Sequence, residues 1–557
     1  MSKLLSARHL GRILLSALVA SNCACTVLLE ERIEKCKLDS DCAALGSGFA
    51  SAVCDTERGL CINSAQKPTG GCSSNAECIA KNNGQPAICR KTDFKCVSVL
   101  STECTQIRAD SDDLSNDDAI LIGTILARSG VTAPAAAAME DAMDLARRDF
   151  RTATPGLPPA VPGGRQRPLV LVNCDETDDP LKAANHLADL GVPAIIGAYY
   201  SSSTIKIATT VTIPKNVLLV SPASNSPLIT TLPSSAPRMV WRTVPSDVIQ
   251  ASVVPQVVST ILEPAIRAKL GATATLKVAI VHRGDAAGVG ISTAVAPKLI
   301  FNGLPALANG DNFKPVDYGD PLDKTGNPDP SVKYAEAAAR LLEFLPHIVI
   351  GVGVTSELIT SILSPLEQRW TATTHRPYYL LANNTLQSQD TLNFIGTNAD
   401  LRHRVLGHIA GASGQAIEAL RFRFVSNYTS SHTGLVPFAY DAVYLIALGI
   451  VASGNQPLTG TSVAGGLEFL LPPGPKVNVG VEEISAAYSL LQKGSKIDLN
   501  GVSGPLDYNP ATGDAESDVQ IWCASVDEST GAAKGYQNSG LYYSAAAGSL
   551  KGTLTCP

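Results

Sequence analysis

Three consecutive hydroxyls, Ser201, Ser202 and Ser203, follow the apolar run IIGAYY (195–200) and open the helix-compatible segment STIKIATTV. A strand ending here and a helix beginning here set the serines at a junction. The first N–H groups of a helix lack acceptors inside it, and its dipole favours negative charge at that end. Serine adds hydroxyl donors without bulk. A hydrogen bond to a charged group contributes ~1.5–3 kcal/mol, so two or three would hold a carboxylate. The same serines serve equally as plain helix caps, where alanine costs ~0.5–2 kcal/mol. Both uses stand open on these residues alone.

Other reactive patterns are weaker. STIK (203–206) satisfies S-x-x-K, and KTG occurs at 324–326, a pair that resembles serine β-lactamases and penicillin-binding enzymes. Here KTG lies in the proline- and glycine-rich GDPLDKTGNPDP (319–330), which reads as an inserted loop, and no S-x-N triplet separates the two. A serine acyl-enzyme is therefore a remote alternative, and the chain is expected not to be an enzyme. AAGVGIS (286–292) lacks the G-x-G-x-x-G pattern, so no dinucleotide or other cofactor is expected. His403 and His408 have no cysteine or acid nearby, so no metal is expected. Asp441, on an apolar helix, reads as a structural acid or a ligand contact. Asn383 and Asn427 head N-x-T triplets, which carry little meaning behind a bacterial export signal.

The 557 residues suffice for several domains, and 45% apolar with 17% charged residues suits a globular protein with a sizeable core. The net charge of −6, without a basic block, does not point to nucleic acid. Of fourteen cysteines, all but Cys174, Cys523 and Cys556 fall before residue 105.

The first residues read as an export signal. Lys3, Arg8 and Arg12 precede the short apolar ILLSALVA (13–20), too short for a resident membrane helix. SNCAC follows, similar to a bacterial lipoprotein signal in which the cysteine after the cut is lipidated. Ala24 precedes Cys25, but Asn22 stands where leucine is usual. A cut before Cys25 leaves twelve other cysteines, which can all pair, whereas a cut before Cys23 leaves thirteen. Cys25 is the expected lipidation site, and the mature chain belongs to an oxidising compartment.

Two four-cysteine repeats follow. Cys36, Cys42, Cys54 and Cys61 form one (36–61), and Cys72, Cys78, Cys89 and Cys96 the other (72–96). Each is too short for a core of its own, so disulfides must hold it. Three pairings per module remain open. Zinc would need CxxC-like spacing, which is absent. Cys523 with Cys556 and Cys104 with Cys174 are the expected remaining pairs. The stretch 101–118 reads as a polar linker.

Beyond it the texture is β-α-β. AILIGTILA, RPLVLVN, VPAIIGA and NVLLVSPA read as strands, with AAAAMEDAMDLARRDF and DPLKAANHLADLG as helices between them. TLKVAIVHR, HIVIGVGV and PYYLLAN begin a second series. Such a rhythm gives parallel sheets covered on both faces. Two doubly wound units imply two lobes with a cleft, and ligands in such sheets bind beyond the carboxyl ends of the strands.

IIGAYYSSSTIKIATTV, NVLLVSPASNSPLI, VWRTVPSD, FAYDAVYLIALGI and GVSGPLDYNPATGD occur in the order and spacing of the type I periplasmic binding proteins, and the chain resembles their leucine/isoleucine/valine-binding branch over about 119–525. The resemblance implies an α/β fold of two lobes joined by three crossovers, preceded here by a small disulfide-rich region. The crossovers are expected near 242–247, 406–412 and 504–509. Ahead of this fold, the export-signal, cysteine and polar stretches place a signal peptide at 1–24, a cysteine-rich region at 25–104 and a linker at 105–118. Lobe 1 falls at about 119–243 and 410–503, lobe 2 at about 248–405 and 510–525, and a tail at 526–557. The resemblance further implies that Ser201 and Ser202 hold a ligand carboxylate, and that Ala223, Ser224 and Asn225 supply a carbonyl and a hydroxyl. Asn225 stands where threonine is usual. Asn383 stands where the second lobe usually offers an acid to the ligand's ammonium, and Ala287 and Val354 or Thr355 replace tyrosine walls. A buried ammonium without an acid is poorly compensated. The expected ligand is therefore a small carboxylate other than a branched-chain amino acid.

The sequence thus leads to a lipid-anchored, extracytoplasmic binding protein of the bacterial envelope, serving an ABC permease. The alternative is an envelope sensor or protein-interaction lipoprotein that reuses the fold.

Overall fold

The structure is a computed structural model and describes residues 52–55, 60–63, 71–160, 163–233, 236–321, 329–354, 356–382, 386–410, 415–430, 434–454, 457–545 and 547–556. It divides into two compact units, Met1–Cys78 with Cys89–Val97 and Ile79–Ile88 with Ser98–Pro557. Cys25, Cys36 and Cys42 lie outside the described residues. Cys54 and Cys61 are register partners on the antiparallel strands Ala52–Asp55 and Leu60–Asn63. In the second repeat the disulfides join Cys72 to Cys89 and Cys78 to Cys96, first to third and second to fourth. The sulfurs of Cys72, Cys78 and Cys89 lie within 4.8 Å of one another because of these bonds, and a paired sulfur is no metal ligand.

The larger unit holds two eight-stranded sheets. Lobe 1 contains β1 (Gln106–Arg108), β2 (Ile120–Leu126), β3 (Leu169–Asp175), β4 (Ala194–Gly197), β5 (Leu218–Ser221) and β6 (Val240–Arg242). Lobe 2 takes β7 (Val278–His282), β8 (Phe313–Asp317), β9 (Ile348–Val352), β10 (Tyr378–Leu381) and β11 (Val405–Ala410). The chain then returns to lobe 1 for β12 (Tyr508–Asn509) and β13 (Asp514–Ala515), and ends in lobe 2 with β14 (Val519–Val526), β15 (Ala533–Ser544) and β16 (Ser549–Gly552). The spatial orders are β12-β13-β6-β5-β4-β2-β3-β1 and β8-β7-β9-β10-β11-β14-β15-β16. Strands β2 to β6 pair in parallel, as do β7 to β11, and antiparallel strands close both edges of the lobe 1 sheet and the β16 edge of the lobe 2 sheet.

Buried Val, Ile and Leu fill these strands because both faces are covered; every residue of β2 is buried. On one face of lobe 1, α1 (Ala133–Ala153) packs against a later helix, Val436–Ala452, whose residues from Val436 to Val451 are all buried. That enclosure explains why FAYDAVYLIALGI is apolar all round. On the other face lies α2 (Pro180–Leu190), capped by the Asp179 carboxylate and ended by Gly191 at φ 80°. A Cβ at Gly123 of β2 would stand 2.4 Å from Leu187 Cδ1 of α2, so glycine permits that approach. Next come α3 (Ser201–Ile207), continued by a π-helical turn at Ala208–Thr212, and α4 (Pro227–Thr230); in lobe 2, α5 (Asp247–Val257) and α6 (Ala286–Val295) follow.

The strand pairings redraw several expected boundaries. The first crossover lies between β6 and α5, and the second between β11 and the helix Gln415–Asn427. The third is not at 504–509, because β12 and β13 still belong to lobe 1; it falls at 516–518. β11 keeps 405–410 in lobe 2. The expected tail at 526–557 instead forms β15 and β16, stapled by Cys523–Cys556. The expected linker at 105–118 contains β1, which pairs antiparallel with β3 beside Cys104–Cys174. A polar edge strand has no apolar alternation to announce it, which is why the linker composition misleads.

Candidate functional site

The carboxyl end of β4 leads through Tyr199 and Tyr200 into α3. Tyr200 is the N-cap and makes no side-chain cap bond, so Ser201, Ser202 and Ser203 are the first three helical residues. The Ser201 hydroxyl is buried and accepts the Ser226 N–H at 3.3 Å, so it acts as a tie and not a cap. Ser202 is exposed.

The expected anion hole already has a resident acid. Glu176, directly after β3, accepts the Tyr199 N–H at 2.7 Å and the Tyr200 N–H at 3.4 Å, both on Oε1. Its Oε2 meets no well-aimed donor among the described residues. Burial pushes its carboxyl up to about 8, although the Ser203 hydroxyl and the two N–H groups favour the ionised form. Burial outweighs those bonds and favours the protonated carboxyl.

The serine loop after β5 is also internally employed. The Ser224 hydroxyl bonds the Ala198 carbonyl at 2.9 Å and the Thr204 hydroxyl at 2.7 Å. The Asn225 carbonyl accepts the Asp247 N–H at 2.8 Å. Ala223 is half-buried. These residues shape the loop and bring Ser226 to the other lobe. The Ser226 hydroxyl donates to the Ala286 carbonyl of α6 at 2.9 Å. A Cβ at Gly290 of α6 would stand 2.8 Å from Pro227 Cδ, so the lobes meet here through a glycine.

Lobe 2 contributes charge from the ends of its strands. Arg283 follows β7 and is buried; its Nε lies 3.0 Å from Asp285 and Nη1 3.6 Å from Glu357, with Asp320 at 3.9 Å. Burial opposes its charge, but Asp285 and Glu357 overcome that and hold its pKa above the ordinary value. Glu357 also meets the Tyr318 hydroxyl at 3.4 Å, and burial pushes it up to about 7. The charges of Arg283 and Glu357 act on Tyr200 of lobe 1, whose hydroxyl bonds Thr132 at 3.1 Å. Tyr199 and Tyr200 stack edge to face, and Tyr318 and Tyr334 lie together in lobe 2.

Thr355 and Asn383 lie outside the described residues. The acids beside Arg283 are Asp285, Asp320 and Glu357, none of which stood out in the sequence. Arg283 ends a predicted strand, Asp285 and Glu176 stand shortly after one, and charged residues at strand carboxyl ends were the available signal. His408 is buried on β11, and burial lowers its pKa to about 4. Asp441 is a structural acid: it accepts the N–H groups of Val502 and Ser503 and the Ser503 hydroxyl. In STIK, Lys206 is exposed while Ser203 faces Glu176; KTG lies outside the described residues.

Two parallel sheets, joined by three crossovers and meeting at their strand ends, define the type I periplasmic-binding-protein fold. Solved structures of similar fold include the leucine-binding protein LivK of Thermotoga maritima, with a TM-score of 0.52 and 18% identity over 75% of this chain and 99% of that one. A solute-binding protein of an ABC transporter from Rhodopseudomonas palustris, in complex with 3,4-dihydroxybenzoic acid, matches with a TM-score of 0.54 and 14% identity over 79% and 99%. LivJ of Streptococcus pneumoniae, in complex with isoleucine, matches with 0.51 and 14% over 75% and 99%. No family model and no curated protein sequence matches the chain.

Proposed function

We propose that this chain is a lipid-anchored, extracytoplasmic binding protein, held through Cys25, that captures a small carboxylate between its lobes for an ABC-type transporter. The observation that carries this reading is the convergence of strand ends. Ser201 to Ser203 on lobe 1 and Arg283 on lobe 2 flank one junction, tied by Ser226 and Ala286. Ser202 and the first-turn N–H groups of α3 offer donors on one side, and Arg283 offers a guanidinium on the other. Asp285, Asp320 and Glu357 supply the acid that position 383 does not. A ligand carrying an ammonium group is thus compatible with lobe 2, which widens the expected class. The solved relatives with isoleucine and with a dihydroxybenzoate support a carboxylate as the shared chemistry.

A thermal-shift screen of leucine, isoleucine, benzoate and 3,4-dihydroxybenzoate tests the reading. A ligand at 100 times its Kd stabilises by about 2.7 kcal/mol. Stabilisation abolished by Ser202→Ala with Arg283→Gln supports it; equal stabilisation of that variant overturns it. The cysteine repeats favour a second reading, an envelope sensor or interaction protein. Capture of an envelope partner by residues 26–104, with no carboxylate bound by the intact chain, would decide for that one.

A further inference from the structure

The amino ends of the lobe 2 strands form the pole opposite the cleft, because β7 delivers Arg283 at its other end. A short hairpin, Ile300–Phe301 with Leu304–Pro305, is fixed at this pole. It turns through Asn302 at φ 53° and Gly303 at φ 75°, the left-handed pair that a tight two-residue hairpin turn requires. The Asn302 side chain accepts the Leu276 N–H at 2.9 Å and donates to the Leu276 carbonyl at 2.8 Å, just ahead of β7. The hairpin is therefore firmly tied, yet it and the turn after it leave Ile300, Leu304 and Leu307 50%, 49% and 69% exposed. Large aliphatic side chains gathered in solvent on a tied turn indicate a contact surface.

Unpaired cations flank the hairpin. Lys277 Nζ lies 5.3 Å from the Phe344 ring centroid, and Lys314 Nζ, on β8, lies 5.5 Å from the same ring. Lys269 Nζ stands 5.3 Å over the Tyr378 ring. Among the described residues none of these three ammonium groups is ion-paired to a carboxylate, and the exposed acids of the pole, Asp311 and Glu343, form no ion pair there. His347 accepts the Lys277 N–H at 2.9 Å and stacks on His375 at 4.0 Å; burial and the Lys277 charge hold both imidazoles below their ordinary pKa. In a chain of net charge −6, such a cluster is not a by-product of composition.

We propose that this pole of lobe 2 docks on an anionic bilayer, with Ile300, Leu304 and Leu307 entering at headgroup depth and Lys277 and Lys314 meeting lipid phosphates. Burial of apolar side chains and attraction of lysines to acidic lipid add together at such a surface. A protein partner is recognised mainly through Trp, Tyr and Arg anchors. The tip, GLPALA (303–308), offers neither an aromatic ring nor a polar side chain. Lysine is a point charge that meets phosphates without a fixed approach, as a fluid surface demands. Docking here occupies the end of β7 away from Arg283, so the cleft stays open and the proposal holds whatever the cleft binds.

The test is amide hydrogen exchange of the full chain mixed with protein-free vesicles, either phosphatidylcholine alone or phosphatidylcholine and phosphatidylglycerol in equal parts. Exchange at residues 303–308 is expected to slow severalfold on the acidic vesicles and to change little on the neutral ones. Any hold by the first residues of the chain is common to all variants and does not touch this difference. Leu304→Ser with Leu307→Ser, both exposed changes, should abolish the slowing, as should Lys277→Gln with Lys314→Gln or high salt. No slowing on either vesicle overturns the proposal, as does equal slowing on both. Slowing indifferent to the leucine pair also overturns it. Slowing that appears only on whole envelope membranes assigns the face to a protein and overturns it too.

Discussion

Replacing Glu176 with glutamine tests the resident acid of the serine turn. Burial pushes this carboxyl up to about 8, against an ordinary value of 4.5. A carboxyl raised in this way favours the folded state while protonated. Its contribution is fully present below the unfolded pKa and is lost as pH rises through the folded one. From these two values the cost of keeping Glu176 buried is about 1 kcal/mol at pH 5, about 3 kcal/mol at pH 7 and about 4 kcal/mol at pH 8, taking 1.36 kcal/mol per unit. Glutamine is neutral throughout, and its carbonyl can still accept the N–H groups of Tyr199 and Tyr200. Glu176→Gln should therefore gain about 3 kcal/mol on wild type between pH 5 and pH 8. Guanidinium unfolding of both proteins across that range measures it. Glu140, Glu357 and Asp441 are also raised, but they titrate in both proteins and cancel in the difference. Parallel curves for wild type and variant would refute the raised pKa of Glu176.

Gly290→Val places side-chain atoms against Pro227, where even a Cβ stands 2.8 Å away; overpacking of about 1–3 kcal/mol should part the lobes and raise the radius of gyration in X-ray scattering. Joint replacement of Cys104 and Cys174 by serine opens a loop of 70 residues and should cost about 2–4 kcal/mol, read as a lower melting temperature under non-reducing conditions. Arg242→Ala strands Asp514, its partly buried partner, and leaves the Thr230 hydroxyl and Ser226 carbonyl without that donor, for a loss of about 3 kcal/mol in denaturant titration.

The two sheets were legible because parallel strands buried on both faces must be continuously apolar, as in ILIGTIL and VAIVH. The antiparallel edges were not. β1 is QIR and β16 is SLKG, short and polar, and they join the sheets by antiparallel backbone pairing. The cysteines showed that Cys104 and Cys174 were left over together, but not that the residues between Cys104 and β2 would form an edge strand. At the site, the serines stood where expected, while their employment did not follow from type. Ser224 and Ser201 look like ligand donors in sequence, and only the fold shows their bonds to Ala198, Thr204 and Ser226. Glu176 lies far from the serines in sequence, and a strand order β4-β2-β3 is needed to bring it to Tyr199.

The junction at β1 also sets how force passes through the molecule. The chain enters through Cys104, which is sewn covalently to β3, and then lies along that strand's flank. Any pull arriving from upstream is delivered to lobe 1 and stops there. Lobe 2 hangs on three short spans and carries no upstream load. Lobe 1 is thus the lobe to which the upstream chain is riveted, and lobe 2 is reached only through it.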